Sequence, residues 1–373
     1  MVAFPERLGR LAQLTGEALD GPPAAPGAID EPLVKLARRH QVGSLLYAVA
    51  GGNRYSIEPR LVAELEQMYR ASAARRISAL ARLHQIADVF DARNIAWMTL
   101  KGPIQAQRLY KDPVWRFSSD LDLLVPPSEF GRALEALMQL GFIPSNPPIA
   151  NAGILRGPIL KAIRDMSLIA DDDHTCAVEL HRRLFVPTGR RANSIRLEAA
   201  PGDIPAPAIG PEMAFYMIAH GALSFWVRLK WLIDLVPLFA KLNDEQKGGL
   251  LECAQRVKAE NSLGASLSLL RGLFPSVDFG PLAPWLERKE AQSSVRHRLE
   301  KYIEMIGSEQ DWRQSPLDNR RKAVESTWLM FEAPTTRAHF LAFAPLSSVA
   351  RKLAGALSRE ERALTQCDTQ PSA

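Results

Sequence analysis

From Pro59 to Ala92, apolar residues recur at Leu61, Leu65, Met68, Ile77, Leu80, Leu83, Ile86 and Phe90, which approximates one face of a helix. The spacing predicts a single long helix with Asn94 as its stop. The whole stretch from residue 1 to about 93 reads as helical. It is broken where Gly21, Pro22, Pro23, Pro26 and Gly27 separate an early helix from one that starts near Asp30. The period then changes. Ile95-Ala96-Trp97-Met98-Thr99-Leu100 is a short apolar run ending on Lys101-Gly102, the pattern of a buried strand that delivers a turn. Pro103 to about Tyr110 predicts a helix with proline in its first turn. Residues 116–119 read as a loop, Asp120 to Val125 as a strand, and Ser128 to Leu140 as a capped helix closed by Gly141. Met166 to Ala170 and Thr175 to His181 alternate as two strands joined by Asp171-Asp172-Asp173-His174.

From Pro211 onward the pattern is helical again, near 211–224, 226–242, 244–259, 262–273, 291–306, 318–332 and 336–358, after a hinge marked by Pro201, Pro205, Pro207 and Pro211. The expected class is α+β: a small α/β unit flanked by helical regions. The expected division is a helical region over 1–93, the α/β core over 94–200, a helical domain over 201–360 and a disordered tail over 361–373.

Composition narrows the classes. With 373 residues, 47% hydrophobic and 23% charged, the chain has the makeup of a globular protein with a substantial core. A net charge of +5 suits an anionic partner such as a nucleotide, and it is small for a nucleic-acid binder, which concentrates more charge on one face. Cys176, Cys253 and Cys367 are widely spaced and odd in number, so neither a disulfide framework nor a zinc site is expected. The first residues lack the basic-then-apolar order of a signal peptide. The densest apolar stretch, Trp226 to Leu242, is interrupted by Arg228, Lys230, Asp234 and Pro237, and a membrane span needs about 18 continuous apolar residues. The expectation is a cytoplasmic protein with no membrane span.

Candidate chemistry centres on Asp120-Leu121-Asp122. On a strand both aspartates face one way while Leu121 and Leu123 enter the core. Two carboxylates so placed repel, and a hard divalent cation shared with substrate phosphates resolves the repulsion. Lys101-Gly102 offers a close backbone approach to phosphate, a helix start and a point charge. Arg116 suits either phosphate oxygens or an ion pair with an aspartate, and Ser119 a hydrogen bond to phosphate. Glu179, in Ala177-Val178-Glu179-Leu180-His181, faces away from Val178 and Leu180, as a third carboxylate should, and His181 shares its face. Four polar residues, Asp171 to His174, form a solvated turn rather than a site. Trp226, Trp231 and Asp234, with His220, read as packed core with a locally paired aspartate. The basic, apolar segment Arg337 to Arg359 reads as a docked amphipathic helix.

Together, Leu100-Lys101-Gly102, Leu109-Tyr110, Asp112-Pro113, Arg116, Ser119 to Val125 and Val178-Glu179-Leu180-His181 resemble the largely uncharacterised bacterial nucleotidyltransferases of the DNA polymerase beta superfamily, with His220, Trp231 and Asp234 similar to that family's helical-domain pattern. The resemblance covers most of residues 80 to 240. It implies a small mixed-sheet nucleotidyltransferase core in which Asp120, Asp122 and Glu179 are catalytic and hold Mg²⁺ or Mn²⁺. Lys101, Gly102, Arg116 and Ser119 would surround a nucleoside triphosphate such as ATP. The implied reaction moves a nucleoside monophosphate onto an acceptor hydroxyl and releases pyrophosphate. The family's glycine-serine turn is here Lys101-Gly102-Pro103, and Glu179 stands where aspartate is common. A non-catalytic nucleotide-binding accessory protein is the alternative these departures keep open. The acceptor, whether small molecule, peptide or protein, is not specified by the sequence.

Overall fold

The computed structural model describes residues 4–51, 54–144, 164–170, 177–185, 194–308, 324–333 and 337. The Asp171–His174 turn, the segment from 338 to 359 and the tail over 361–373 lie outside the described residues.

Three helices open the chain: α1 (Glu6–Ala18), α2 (Glu31–His40) and α3 (Gly43–Ala50). The start near Asp30 has a local cause, because its carboxylate accepts the Leu33 N–H at 3.0 Å and caps α2. Gln41 then stops α2 in the left-handed region. This region also contains two short strands that the apolar pattern does not signal. They are β1 (Ala28–Ile29) and β2 (Ser56–Ile57), paired in parallel over two residues each.

The long helix α4 spans Pro59–Ala92, with proline at its first turn and Asn94 beyond its end at φ 50°. Its two ends serve different cores. Leu61 and Leu65 join the larger one, while Ala79, Leu83, Ile86, Ala87 and Phe90 join a second. The predicted apolar stripe is therefore not one face buried in one place, and Ile77, between the two, is 70% exposed.

The central sheet comprises β3 (Met98–Thr99), β4 (Asp120–Leu124), β5 (Phe142–Pro144), β6 (Asp165–Ala170) and β7 (Ala177–His181), in the order β3-β4-β7-β6-β5. β4 and β7 run parallel and the other neighbours antiparallel, which makes the sheet mixed. The fold is α+β, as the chain pattern predicts. Helix α5 (Pro103–Leu109) follows β3, and α6 (Phe130–Gln139) follows β4. One sheet face carries Leu121, Leu123, Met166, Leu168, Val178 and Leu180 into the second core beneath α4 and α6. Alternation then leaves Asp120, Asp122, Glu179, His181, Asp165 and Ser167 on the other face.

The rest is helical: α7 (Pro211–Leu223), α8 (Leu229–Ile233), α9 (Leu235–Lys241), α10 (Asp244–Val257), α11 (Glu260–Leu273), α12 (Ala283–Glu290) and α13 (Ser293–Gly307). The single helix expected over 226–242 is two. Phe225 and Trp226 take φ of 52° and 54°, the chain turns, and α8 begins only at Leu229. The turn accommodates the Trp226 indole, which is fully buried against Gly221. The larger core joins these helices to α1–α3 and to the start of α4. Among the described residues no helix is long and apolar enough to cross a membrane.

Candidate functional site

The site lies on the polar sheet face, and the register of two parallel strands creates it. β4 and β7 pair Asp122 with Glu179 and Leu124 with His181, so residues 57 positions apart in the chain become lateral neighbours. Asp122 is 2% exposed, an expensive position for a carboxylate unless it is paired. It is paired twice. His181 donates from Nε2 to Asp122 Oδ1 at 3.0 Å, and Lys101 Nζ lies 3.2 Å from Oδ2. Glu179 Oε2 is 3.5 Å from the same imidazole nitrogen. One ligand atom each from Asp122, Glu179 and His181 can be chosen so that all lie within 4.8 Å of one another, close enough to share a divalent ion.

Charge within this pocket is unevenly balanced. Burial alone works against ionising Asp122, but Lys101 and His181 together outweigh it and hold the carboxyl well below the usual range. Asp120 differs. Burial, and then the charge on Asp122, push its pKa up despite Lys101. His181 is the second counter-charge: burial works against its cationic form, but hydrogen bonds to Asp122 and Glu179 raise its pKa. Lys101 itself is raised, burial being outweighed by Asp122.

The turn that delivers Lys101 needs its glycine. Gly102 has φ 97°, a conformation L side chains rarely adopt, directly before Pro103 opens α5. The side of the pocket away from the sheet is α7. His220 accepts from Lys101 Nζ at Nε2, 3.4 Å away, and its ring stands edge-on to Trp231 at 5.4 Å. Burial and then Lys101 depress the His220 pKa well below its ordinary value, so it sits there as a neutral acceptor.

Arg116 is the residue whose two sequence options the structure separates. Its Nε donates to Asp234 at 2.9 and 3.1 Å, and Tyr110 Oη donates to the same carboxylate at 2.6 Å. All three groups are buried. The aspartate pairing, rather than a free guanidinium, is what the structure holds, and it ties the loop before β4 to the junction of α8 and α9. Ser119, next to Asp120, has its hydroxyl 3.4 Å from Asp120 Oδ1. Asp120 stands on the predicted face but outside the three-residue cluster.

The apolar pattern did not signal Lys230. It lies half-buried on α8, and its Nζ is 5.5 Å from the centre of the Phe117 ring. Burial, and then Arg116, lower it to about 8. Among the described residues no carboxylate lies within ion-pair distance of it. Nothing in the helical periodicity around Trp226–Leu242 distinguishes it from a surface lysine, because its neighbour in space, Asp120, is far away in sequence.

A buried aspartate and a half-buried glutamate lie side by side on parallel strands, with an imidazole and a lysine on a glycine turn beside them. Residues 28–275 match a family model described as an uncharacterised nucleotidyltransferase. The chain belongs to that family. Membership makes it a transferase of nucleotidyl groups with a nucleotide substrate. No curated protein matches the chain. The match runs from α2 through α11, so it includes helices on both sides of the sheet and leaves out α1, α12 and α13.

Proposed function

We propose that the chain transfers a nucleoside monophosphate from a nucleoside triphosphate to an acceptor hydroxyl, with pyrophosphate as the second product, using a divalent ion held by Asp122 and Glu179 with Asp120 at its edge. The observation that carries this reading is the lateral pairing of Asp122 with Glu179 beside an ionised Lys101. When bound, the ion neutralises phosphate charge and polarises the α-phosphorus for in-line attack. Asp122 stays ionised and gives a fixed negative anchor. Glu179, a third exposed by side chain, is reachable from solvent and accepts the proton of an incoming hydroxyl. Lys101 balances charge on the triphosphate from the turn at Gly102, with Ser119 beside it, and Lys230 is a further cation on the same side. Arg116 acts through position, because Asp234 holds its guanidinium and with it the loop that leads into β4. Catalysis in this scheme is mainly placement and charge compensation.

The test is release of pyrophosphate from each nucleoside triphosphate with Mg²⁺ or Mn²⁺ and a panel of hydroxyl acceptors. Asp122→Asn is expected to reduce turnover by at least 100-fold while leaving the circular dichroism spectrum unchanged. A variant with full metal-dependent activity would refute the assignment. Nucleotide binding with no pyrophosphate from any acceptor would instead assign the non-catalytic accessory role.

A further inference from the structure

His181 is 3% exposed, and its two ring nitrogens face different partners. Nε2 points at the acids, 3.0 Å from Asp122 Oδ1 and 3.5 Å from Glu179 Oε2. Nδ1 has no hydrogen-bond partner among the described residues, although it is fully buried. It faces Asp165 Oδ2 at 3.8 Å, beyond the ordinary N–H···O range of about 2.7–3.2 Å. Asp165 is the direct antiparallel partner of His181 across β6 and β7, and Arg164 Nε fixes its carboxylate at 2.7 Å. An orphaned buried ring nitrogen opposite an anchored carboxylate is unsatisfactory while the ring proton sits on Nε2. With a cation between Nε2 and the acids, the ring proton resides on Nδ1 and points to Asp165; without one, an Nε2 lone pair would face Asp122 Oδ1 at 3.0 Å. Carboxylate–histidine–metal arrangements have this form.

Building on the metal-dependent reading above, we propose that His181 is itself a metal ligand through Nε2, that Asp165 orients it, and that the site consequently selects a nitrogen-accepting first-row transition ion over Mg²⁺. The donor set is then two carboxylates and one imidazole. Mg²⁺ takes oxygen donors almost exclusively, whereas imidazole favours first-row transition ions. Ligation leaves the ring with one proton, on Nδ1, and an imidazolium releases its Nε2 proton to solvent as the ion binds.

The experiment uses the full, untagged chain with Mn²⁺ alone, without nucleotide. Electron spin echo envelope modulation of the bound Mn²⁺ is expected to show coupling to one directly bonded ¹⁴N nucleus, with the pattern changing on ¹⁵N-histidine labelling. His181→Gln is expected to abolish the coupling while retaining Mn²⁺ binding through the two acids. Competition should show Mn²⁺ at least tenfold preferred over Mg²⁺ in the parent chain and near parity in His181→Gln. Asp165→Asn should keep the nitrogen coupling and weaken Mn²⁺ by about 10- to 100-fold, the usual effect of losing an outer-shell partner. Bound Mn²⁺ without nitrogen coupling overturns the ligation and leaves the metal-dependent transfer standing. Absence of any Mn²⁺ binding that Asp122→Asn removes overturns both.

Discussion

His40 offers a pH dependence that can be worked through. It ends α2, is completely buried, and its Nδ1 accepts the Leu229 N–H at 3.0 Å, so it holds the first residue of α8. The ring proton must then be on Nε2, which has no partner among the described residues. Adding a second proton would set N–H against N–H and place charge beside Arg39 and Arg228. Burial, followed by those two arginines, accordingly lowers the pKa from 6.5 to about 3. The unfolded chain takes up this proton near pH 6.5 and the folded chain only near pH 3. The neutral form's contribution is therefore fully present above 6.5 and declines as pH falls through that window. At 1.36 kcal/mol per unit, moving from pH 7.5 to pH 5 removes about 2 kcal/mol. Other groups titrate too, so the measurement is a difference. Urea unfolding of the parent and of His40→Asn is followed at both pH values, the asparagine carbonyl being able to accept the Leu229 N–H. The variant is less stable at neutral pH because the ring's volume is lost, but its decline toward pH 5 should be smaller by about 2 kcal/mol. Parallel declines would refute the argument that His40 is held neutral.

Two further perturbations act elsewhere. Asp234→Ala leaves the buried Arg116 guanidinium and the Tyr110 hydroxyl without their common partner. Loss of about 3–5 kcal/mol is expected in denaturant unfolding, and Arg116→Met combined with Asp234→Leu should recover more than half of it. At Gly221 a β-carbon would sit 2.3 Å from the Trp226 ring, so Gly221→Ala should destabilise by about 1–3 kcal/mol, read as a lower urea midpoint with unchanged slope.

What the chain disclosed and what it hid follow from the range of the forces involved. The limits of α4, the alternation in β4 and β7 and the placement of Glu179 and His181 on one face are set by neighbours within a few residues, and the sequence pattern carries them. The alternation in Val178-Glu179-Leu180-His181 also placed His181 beside Glu179. Its contact with Asp122 depended on register between strands, which no local pattern contains. Arg116 illustrates the same limit. Its residue type admits phosphate or carboxylate, and the deciding partner, Asp234, is 118 positions away. The pattern separates a helix ending near 224 from the next, but it starts that next helix at 226 rather than 229, because Phe225 and Trp226 are ordinary apolar residues by composition. Their positive φ values come from seating the indole against Gly221.

The two long-distance links, to α7 and to the junction of α8 and α9, also bear on the order in which the chain is assembled. Lys101 reaches His220 across 119 positions, and Arg116 reaches Asp234 across 118. During synthesis the sheet residues emerge well before either partner. A nascent chain stopped short of residue 234 carries Arg116 without the aspartate that pairs with it. The loop before β4 therefore gains its buried ion pair only after the helical part has been synthesised.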